Sequence, residues 1–347
     1  MRALLLAGGL GTRLRPLTEN LPKPMALVAN KPWLYHLILH LKNEGITEFV
    51  IAVKHFPNMI RKYFGDGRSL GVSIEYAVEQ KLLGTAGAIK NAESLLSDRF
   101  LVVNADIALD FSLVPLLDFH ISHGGGVTIA LKEVEDPSQY GVVEIDGNGL
   151  IKRFVEKPDR GKAPSNLINA GIYIMEKKVL SWIPKGKEVS IERETFPLLI
   201  QQGVGVYGKQ IHGYWLDMGT KERYRQVHWD ILKQKFTMPL RGKESENGIW
   251  LGKGVNVGKG VLFVPPVLVG DDVEIGDRST IGPYAVIGNR CVIGSRVRCT
   301  ESILWDGCRV HNGAQLNHCI FGRELELGSE HILYEAVMNR VSGGDDH

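Results

Sequence analysis

Short apolar runs at Ala3–Leu6, Phe49–Val53, Val72–Tyr76 and Phe100–Val103 are separated by amphipathic stretches such as Trp33–Asn43 and Thr85–Leu96. Short continuous apolar runs read as buried strands and the stretches between them as helices. Residues 1–235 therefore predict an α/β domain with a Rossmann-like, mostly parallel sheet and helices on both faces. In such a sheet ligands bind beyond the carboxyl ends of the strands, which gathers the loops after Leu6, Tyr76 and Val103 around one crevice. Past residue 125 the texture turns to hairpins. Val142–Ile145 and Leu150–Val155 flank the turn Asp146-Gly147-Asn148-Gly149, and Ile168–Met175 and Val204–Ile211 read as strands around a helix at Ile191–Gln202.

A polar stretch at 236–247 reads as a linker, and beyond it the pattern becomes periodic. Glycine recurs at 252, 258, 270, 276, 282, 288 and 294, each preceded by an aliphatic residue: Leu251, Val257, Val269, Ile275, Ile281, Ile287 and Ile293. Four residues after each aliphatic stands a small or branched one: Val255, Val261, Val273, Ser279, Ala285, Cys291 and Val297. Two interlocked period-six series predict a left-handed parallel β-helix over 248–347, with the aliphatics inward and tight corners between flat faces. The register slips near Cys299–Gly313, and Val310, Ala314, Leu316 and Ile320 continue a weaker repeat. About four coils are expected, with His331–Val341 as a cap. A helix of that length suits subunit association better than acyl transfer, so a homo-oligomer is expected. A chain ending near Lys235 is expected to keep its first loop and change its oligomeric state.

Composition narrows the partners. A length of 347 residues with 44% hydrophobic content supports two cores. The net charge of +2 is spread without a basic stripe, which excludes nucleic acid and a membrane surface as partners and points the basic residues at small anions. Leu4-Leu5-Leu6-Ala7 is too short for a signal core or a membrane span, so a cytoplasmic protein is expected. The four cysteines, Cys291, Cys299, Cys308 and Cys319, contain no C-x-x-C pair and read as small buried side chains. His36 with His40, and His120 with His123, lack a third ligand and read as packing or surface residues.

The candidate chemistry starts at Gly8-Gly9-Leu10-Gly11-Thr12-Arg13. Glycines directly after a strand let backbone N–H groups approach a phosphate where a Cβ would obstruct them. Arg13 and Lys23, the latter between Pro22 and Pro24, add two cations. No Gly-Lys-Ser/Thr is present, so this is not a Walker A loop, and Leu14 takes the place of the third glycine of a dinucleotide fingerprint.

The run from Gly8 to Met25 resembles the signature of the nucleotide-sugar pyrophosphorylases, the sugar-1-phosphate nucleotidyltransferases. The resemblance continues through Leu83-Gly84-Thr85-Ala86-Gly87, Asn104-Ala105-Asp106, Tyr140-Gly141-Val142-Val143, Phe154-Val155-Glu156-Lys157-Pro158, Ile168-Asn169-Ala170-Gly171 and Trp215-Leu216-Asp217-Met218-Gly219. It implies transfer of a nucleotidyl group from a nucleoside triphosphate to a sugar-1-phosphate, with release of pyrophosphate. Leu6, Ala7, Gly8, Gly9, Gly11, Thr12, Arg13, Lys23, Glu79, Gly84 and Thr85 are then expected to bind the nucleotide. Gly141, Glu156, Lys157 and Asn169 are expected to bind the sugar phosphate, with Arg13, Lys23 and Lys157 on the reacting phosphates.

Asp106 and Asp217 each follow a strand, and spacing alone leaves a helix-capping role open for both. The resemblance makes them ligands of a magnesium ion. The motif here lacks the glycine that many relatives carry before the first aspartate. Glu79 stands nearest to the base-reading position. A carboxylate can accept both guanine N1–H and the N2 amino group, so GTP is expected, and the resemblance implies mannose-1-phosphate as acceptor. UTP or dTTP with glucose-1-phosphate is the competing substrate pair. A non-catalytic regulatory subunit and a β-helix acyltransferase are the readings from other classes.

Overall fold

The computed structural model describes residues 1–236, 238, 243–246 and 248–340, with the backbone alone for 243–246. Most of the predicted linker and the end of the predicted cap, at Val341, lie outside the described residues. The chain packs as two compact units: Met1–Leu10 with Leu37–Asp217, and Gly11–His36 with Met218–His347.

The first unit is a nine-stranded sheet. Its strands are β1 (Arg2–Leu6), β2 (Glu48–Val53), β3 (Ser73–Val78) and β4 (Arg99–Asn104), followed, after the two-strand ladder element β5 (Ile107–Asp110), by β6 (Val127–Glu133), β7 (Gly141–Ile145), β8 (Ile151–Glu156), β9 (Leu167–Glu176) and β10 (Val206–Gln210). The order is β8-β7-β9-β4-β1-β2-β3, with β6 beside β9 and β10 beside β6. β4, β1, β2 and β3 run parallel, and β9 enters antiparallel to β4. β1 carries Ala3, Leu4 and Leu5 at 0% exposure, the continuous apolar run that a central parallel strand needs because both its faces are covered. The edge strand β3 instead alternates exposed and buried positions over its first half.

The predicted hairpin forms. Asp146 Oδ1 accepts from the backbone N–H of Asn148 (2.9 Å) and Leu150 (3.0 Å), fixing the turn between β7 and β8. The Ile191–Gln202 segment opens as a π turn, Ile191–Thr195, before the α-helix Phe196–Gln201. β5 pairs antiparallel with β11 (Tyr214–Asp217) in a separate two-stranded ladder.

The second unit is the left-handed parallel β-helix together with the helix Lys221–Leu232 and residues 11–36. Three parallel sheets make its faces, and they give five complete coils and one strand more, where about four were expected. The miscount has a physical cause. Ile249 pairs with Val267, eighteen residues on, whereas Val286 pairs with Ile303, seventeen on. The coil loses one residue at the corner after Thr300, so the period-six pattern breaks in sequence while the ladder continues in space. Inside stack Val269, Ile275, Ile281, Ile287 and Ile293 with all four cysteines, each buried. Val257 remains 46% exposed in the first coil. Lys243–Glu246, within the predicted linker, pairs antiparallel with Ile249–Leu251.

Candidate functional site

In the first unit the strand ends bring most of the expected residues to one edge of the sheet. β1 delivers Leu6, whose carbonyl accepts from Ala105 N–H at the end of β4 (3.1 Å), and Ala7, whose N–H donates to Ala52 at the end of β2 (2.8 Å). Gly8 and Gly9 open directly beyond. A Cβ on Gly8 would stand 2.8 Å from Glu79 Oε1, so the glycine is what lets the loop lie over the Glu79 carboxylate. Glu79 follows β3, is 5% exposed and accepts the Leu83 N–H on Oε2 (3.2 Å). Burial raises its proton affinity above that of an ordinary glutamate, while the Leu83 N–H and the Lys54 charge oppose the shift. Lys54, at the end of β2, also donates to the Gln80 carbonyl (2.7 Å). Lys54 was not among the residues expected from the sequence, although a lysine directly after an apolar strand run was the available signal.

Asp106 follows β4 and immediately precedes Ile107, whose ladder partner is Asp217. The β5–β11 ladder therefore holds both carboxylates at one end, beside the strand ends that carry Gly8. Two expected residues serve structure here. Gly84 starts the helix Gly84–Asn91 in the left-handed region, with its backbone against Val189, and Thr85 Oγ1 donates to Glu192 (2.9 Å) while accepting Ile191 N–H (2.8 Å).

The sugar-phosphate candidates cluster on the antiparallel side of the same unit. Gly141 pairs with Glu156 across β7 and β8, and a Cβ there would stand 2.6 Å from the Phe154 ring and 2.9 Å from Glu156 Oε2. Burial and then the nearby Glu192 raise the proton affinity of Glu156, against the opposing charges of Lys157 and Arg193. Lys157 takes a left-handed backbone (φ 49°), fixed by its N–H on the Tyr140 carbonyl (2.9 Å), and its side chain is exposed. Asn169 donates to Tyr173 OH (2.9 Å) and accepts Gly171 N–H (2.8 Å), so both ends of its amide are oriented. Trp215 donates to the Ala170 carbonyl (3.0 Å) and meets Tyr140 edge-on at 5.7 Å, an aromatic wall beside these groups.

Gly11, Thr12, Arg13 and Lys23 belong to the second unit. Gly11 is left-handed (φ 62°), its carbonyl accepts from Thr18 Oγ1 (2.8 Å), and the Lys23 side chain packs on its Cα. The tight turn Thr12–Leu14 leaves Arg13 exposed. His36 bonds the Val28 carbonyl (2.8 Å) and His40 is half-buried. Among the described residues no group of three His, Cys, Asp or Glu could hold a metal by itself, and no helix is long and apolar enough to cross a membrane.

The nucleotidyl transferase family model matches residues 2–234, and the model of the GMPPB C-terminal domain matches residues 263–342. Over 257 residues, 73% of this chain and 71% of the relative, the sequence is 40% identical to a mannose-1-phosphate guanylyltransferase of Mycobacterium tuberculosis. It is 41% identical over 233 residues to the mannose-1-phosphate guanyltransferase of Saccharomyces cerevisiae, spanning 65% of this chain and 63% of that one. Among solved structures, HddC from Yersinia pseudotuberculosis complexed with GMP-PN is similar with a TM-score of 0.58 and 28% identity, over 66% of this chain and 99% of that one.

Proposed function

This chain belongs to the nucleotidyl transferase family, and from that premise we propose that it makes GDP-mannose and pyrophosphate from GTP and mannose-1-phosphate. The observation that carries the reading is the pair Asp106 and Asp217, set by one ladder beside the strand end that opens into Gly8-Gly9. The named relatives give the substrates.

In the reaction a phosphate oxygen of the sugar-1-phosphate bonds to the α-phosphorus, and the bond from that phosphorus to the bridging oxygen of the β-phosphate breaks. Such a transfer needs alignment and charge neutralisation more than covalent help. The backbone N–H groups of the glycine loop take phosphate oxygens. Arg13 holds the departing pyrophosphate bidentately, and Lys23 adds a point charge. Lys157 holds the sugar phosphate, while Glu156, Asn169 and the open backbone at Gly141 meet sugar hydroxyls. Family members use a divalent cation. Two aspartates, with no histidine or cysteine grouped with them among the described residues, suit Mg2+, which keeps one or two protein carboxylates and completes its shell with water and phosphate oxygens. When bound, the ion neutralises charge on the reacting phosphates.

The test is pyrophosphate release over a grid of GTP, UTP and dTTP against mannose-1-phosphate and glucose-1-phosphate. GTP with mannose-1-phosphate is expected to be fastest, and a faster UTP or dTTP reaction with glucose-1-phosphate overturns the substrate assignment. Glu79→Gln should lower the preference for GTP over UTP by roughly 1–3 kcal/mol, the scale for mispairing polar groups in a site. Because burial raises the Glu79 pKa, its carboxylate is lost at a higher pH than an ordinary glutamate's, so the wild-type preference for GTP should fall first as pH is lowered. An unchanged ratio in Glu79→Gln would remove Glu79 from base reading.

We also place the protein in the cytoplasm, which suits four buried, unpaired cysteines. It is proposed to associate with a copy of itself through the last coil, where Ile332 is 72% and Tyr334 68% exposed. A monomer mass by light scattering would overturn the association.

A further inference from the structure

One corner of the β-helix differs from the rest. Coil by coil, the ladder stacks Gly252, Gly270, Gly288, Trp305, Gly322 and Asn339 at one equivalent corner position. The N–H groups of Gly252, Gly270, Gly288, Trp305 and Gly322 each donate to the residue before the next member of the column. Four of the six are glycine, as tight stacking demands: a Cβ on Gly288 would meet the Trp305 backbone. The tryptophan breaks the repeat, yet it is 1% exposed, in the second unit that also contains the helix Lys221–Leu232.

The indole has a specific use. Its Nε1–H donates to Tyr224 OH (2.9 Å), and Tyr224, also 1% exposed, donates in turn to the Leu27 carbonyl. The hairpin leaves the Leu27 carbonyl open to that donor and to the neighbouring His228. In the Leu27–Val28/Lys31–Pro32 hairpin, Trp33 N–H bonds the Ala26 carbonyl (3.0 Å), which makes Leu27–Pro32 the pair without ladder hydrogen bonds. The Leu27 carbonyl therefore faces away from the hairpin, where an unmet buried acceptor would be costly.

Two neighbours in the same column act on the same segment. Asn30, at the hairpin tip with φ 63°, donates to the carbonyl of Ile287 (2.9 Å), just before Gly288. Asn339 donates to the Pro16 carbonyl (3.1 Å). Three coils of one edge thus grip residues 16–30 at three points, and Lys23 lies between those points.

We propose that the Gly288–Trp305–Asn339 corner positions the Lys23 segment for the nucleoside triphosphate, through the Trp305–Tyr224–Leu27 hydrogen-bond chain. The β-helix then holds the segment that carries Lys23, in addition to offering a surface for association. This inference rests on the reading that Lys23 binds the triphosphate. Tyr224 and Trp305 are positioning residues, since neither is assigned a contact with substrate.

The test measures KM for both substrates in the full-length chain carrying Tyr224→Phe, Trp305→Phe, both together, or Asn339→Ala, with Lys23→Ala as the reference. Tyr224→Phe and Trp305→Phe should each raise the triphosphate KM about five- to twentyfold and leave the sugar-1-phosphate KM within about twofold. The double variant should be no worse than the worse single one, because the two act in series. Asn339→Ala acts at a separate point and keeps the inference testable if the aromatic variants fold poorly. Its triphosphate KM should also rise. If Lys23→Ala raises the triphosphate KM while the corner variants leave it unchanged, or move both KM values equally, the positioning role is refuted. If Lys23→Ala itself leaves that KM unchanged, the functional reading fails and takes this inference with it.

Discussion

Asp106→Asn and Asp217→Asn should each lower turnover at least about a hundredfold, and excess chelator should abolish it in the parent protein. Each substitution keeps the size of the side chain, removes a negative charge and turns one acceptor oxygen into an amide donor. The ladder register argues that the two charges act together, because Ile107 pairs with Asp217 and Asp106 directly precedes Ile107. A divalent cation held by two carboxylates loses much of its affinity with either one, so the double variant should be little slower than the worse single one. Asn at either position should also raise the metal concentration needed for half-maximal rate. Near-normal turnover in both variants, or full activity in chelator, would remove these aspartates from a metal site. A helix-capping role would show instead as a loss of melting temperature, with the metal dependence intact.

Ending the chain at Lys235 should lower kcat/KM for the triphosphate by at least about a hundredfold, on the order of 2.7 kcal/mol, the loss expected when a preorganised phosphate-binding segment is released. From its sequence such a chain was expected to keep its nucleotide loop and change its oligomeric state. The contacts argue otherwise. Truncation removes the Ile287 carbonyl from Asn30 and Asn339 from Pro16, freeing two of the points that hold residues 16–30, and takes Trp305 away from Tyr224, which holds the third. It also uncovers Tyr224, which is 1% exposed and bonded to Trp305. The sheet of the first unit has its own core, from Leu4 and Val50 to Phe100 and Phe196, so circular dichroism should still report a folded α/β domain. A truncated chain with full triphosphate affinity would return the β-helix to the role of an association surface.

The sequence by itself determined a good deal. Hydrophobic runs are local, and a run that is buried on both faces must be a strand, so the helix Trp33–Asn43 and the strands near Phe49, Val72 and Phe100 were legible to within a few residues. The β-helix was legible because stacking repeats the same inward position every turn. The strand-end placement of Gly8, Glu79 and Asp106 follows from the same pattern, since loops after parallel strands must emerge at one edge of the sheet.

Tertiary structure decided what depends on register and on contacts distant in sequence. A one-residue deletion at a corner shortens the coil from eighteen residues to seventeen and hides the later repeats from a period-six reading. Glu79 is a buried carboxylate beneath Gly8, a burial that no local pattern around it announces. Asp217 reaches Asp106 only through the pairing of Tyr214–Asp217 with Ile107–Asp110, about a hundred residues apart along the chain. The signature read as one continuous loop, yet it is divided between the two units at Leu10–Gly11. Its second part folds with coils more than two hundred residues away, because the outward carbonyl of Leu27 finds its donor in Tyr224, and Tyr224 finds its own in the one tryptophan of a glycine corner.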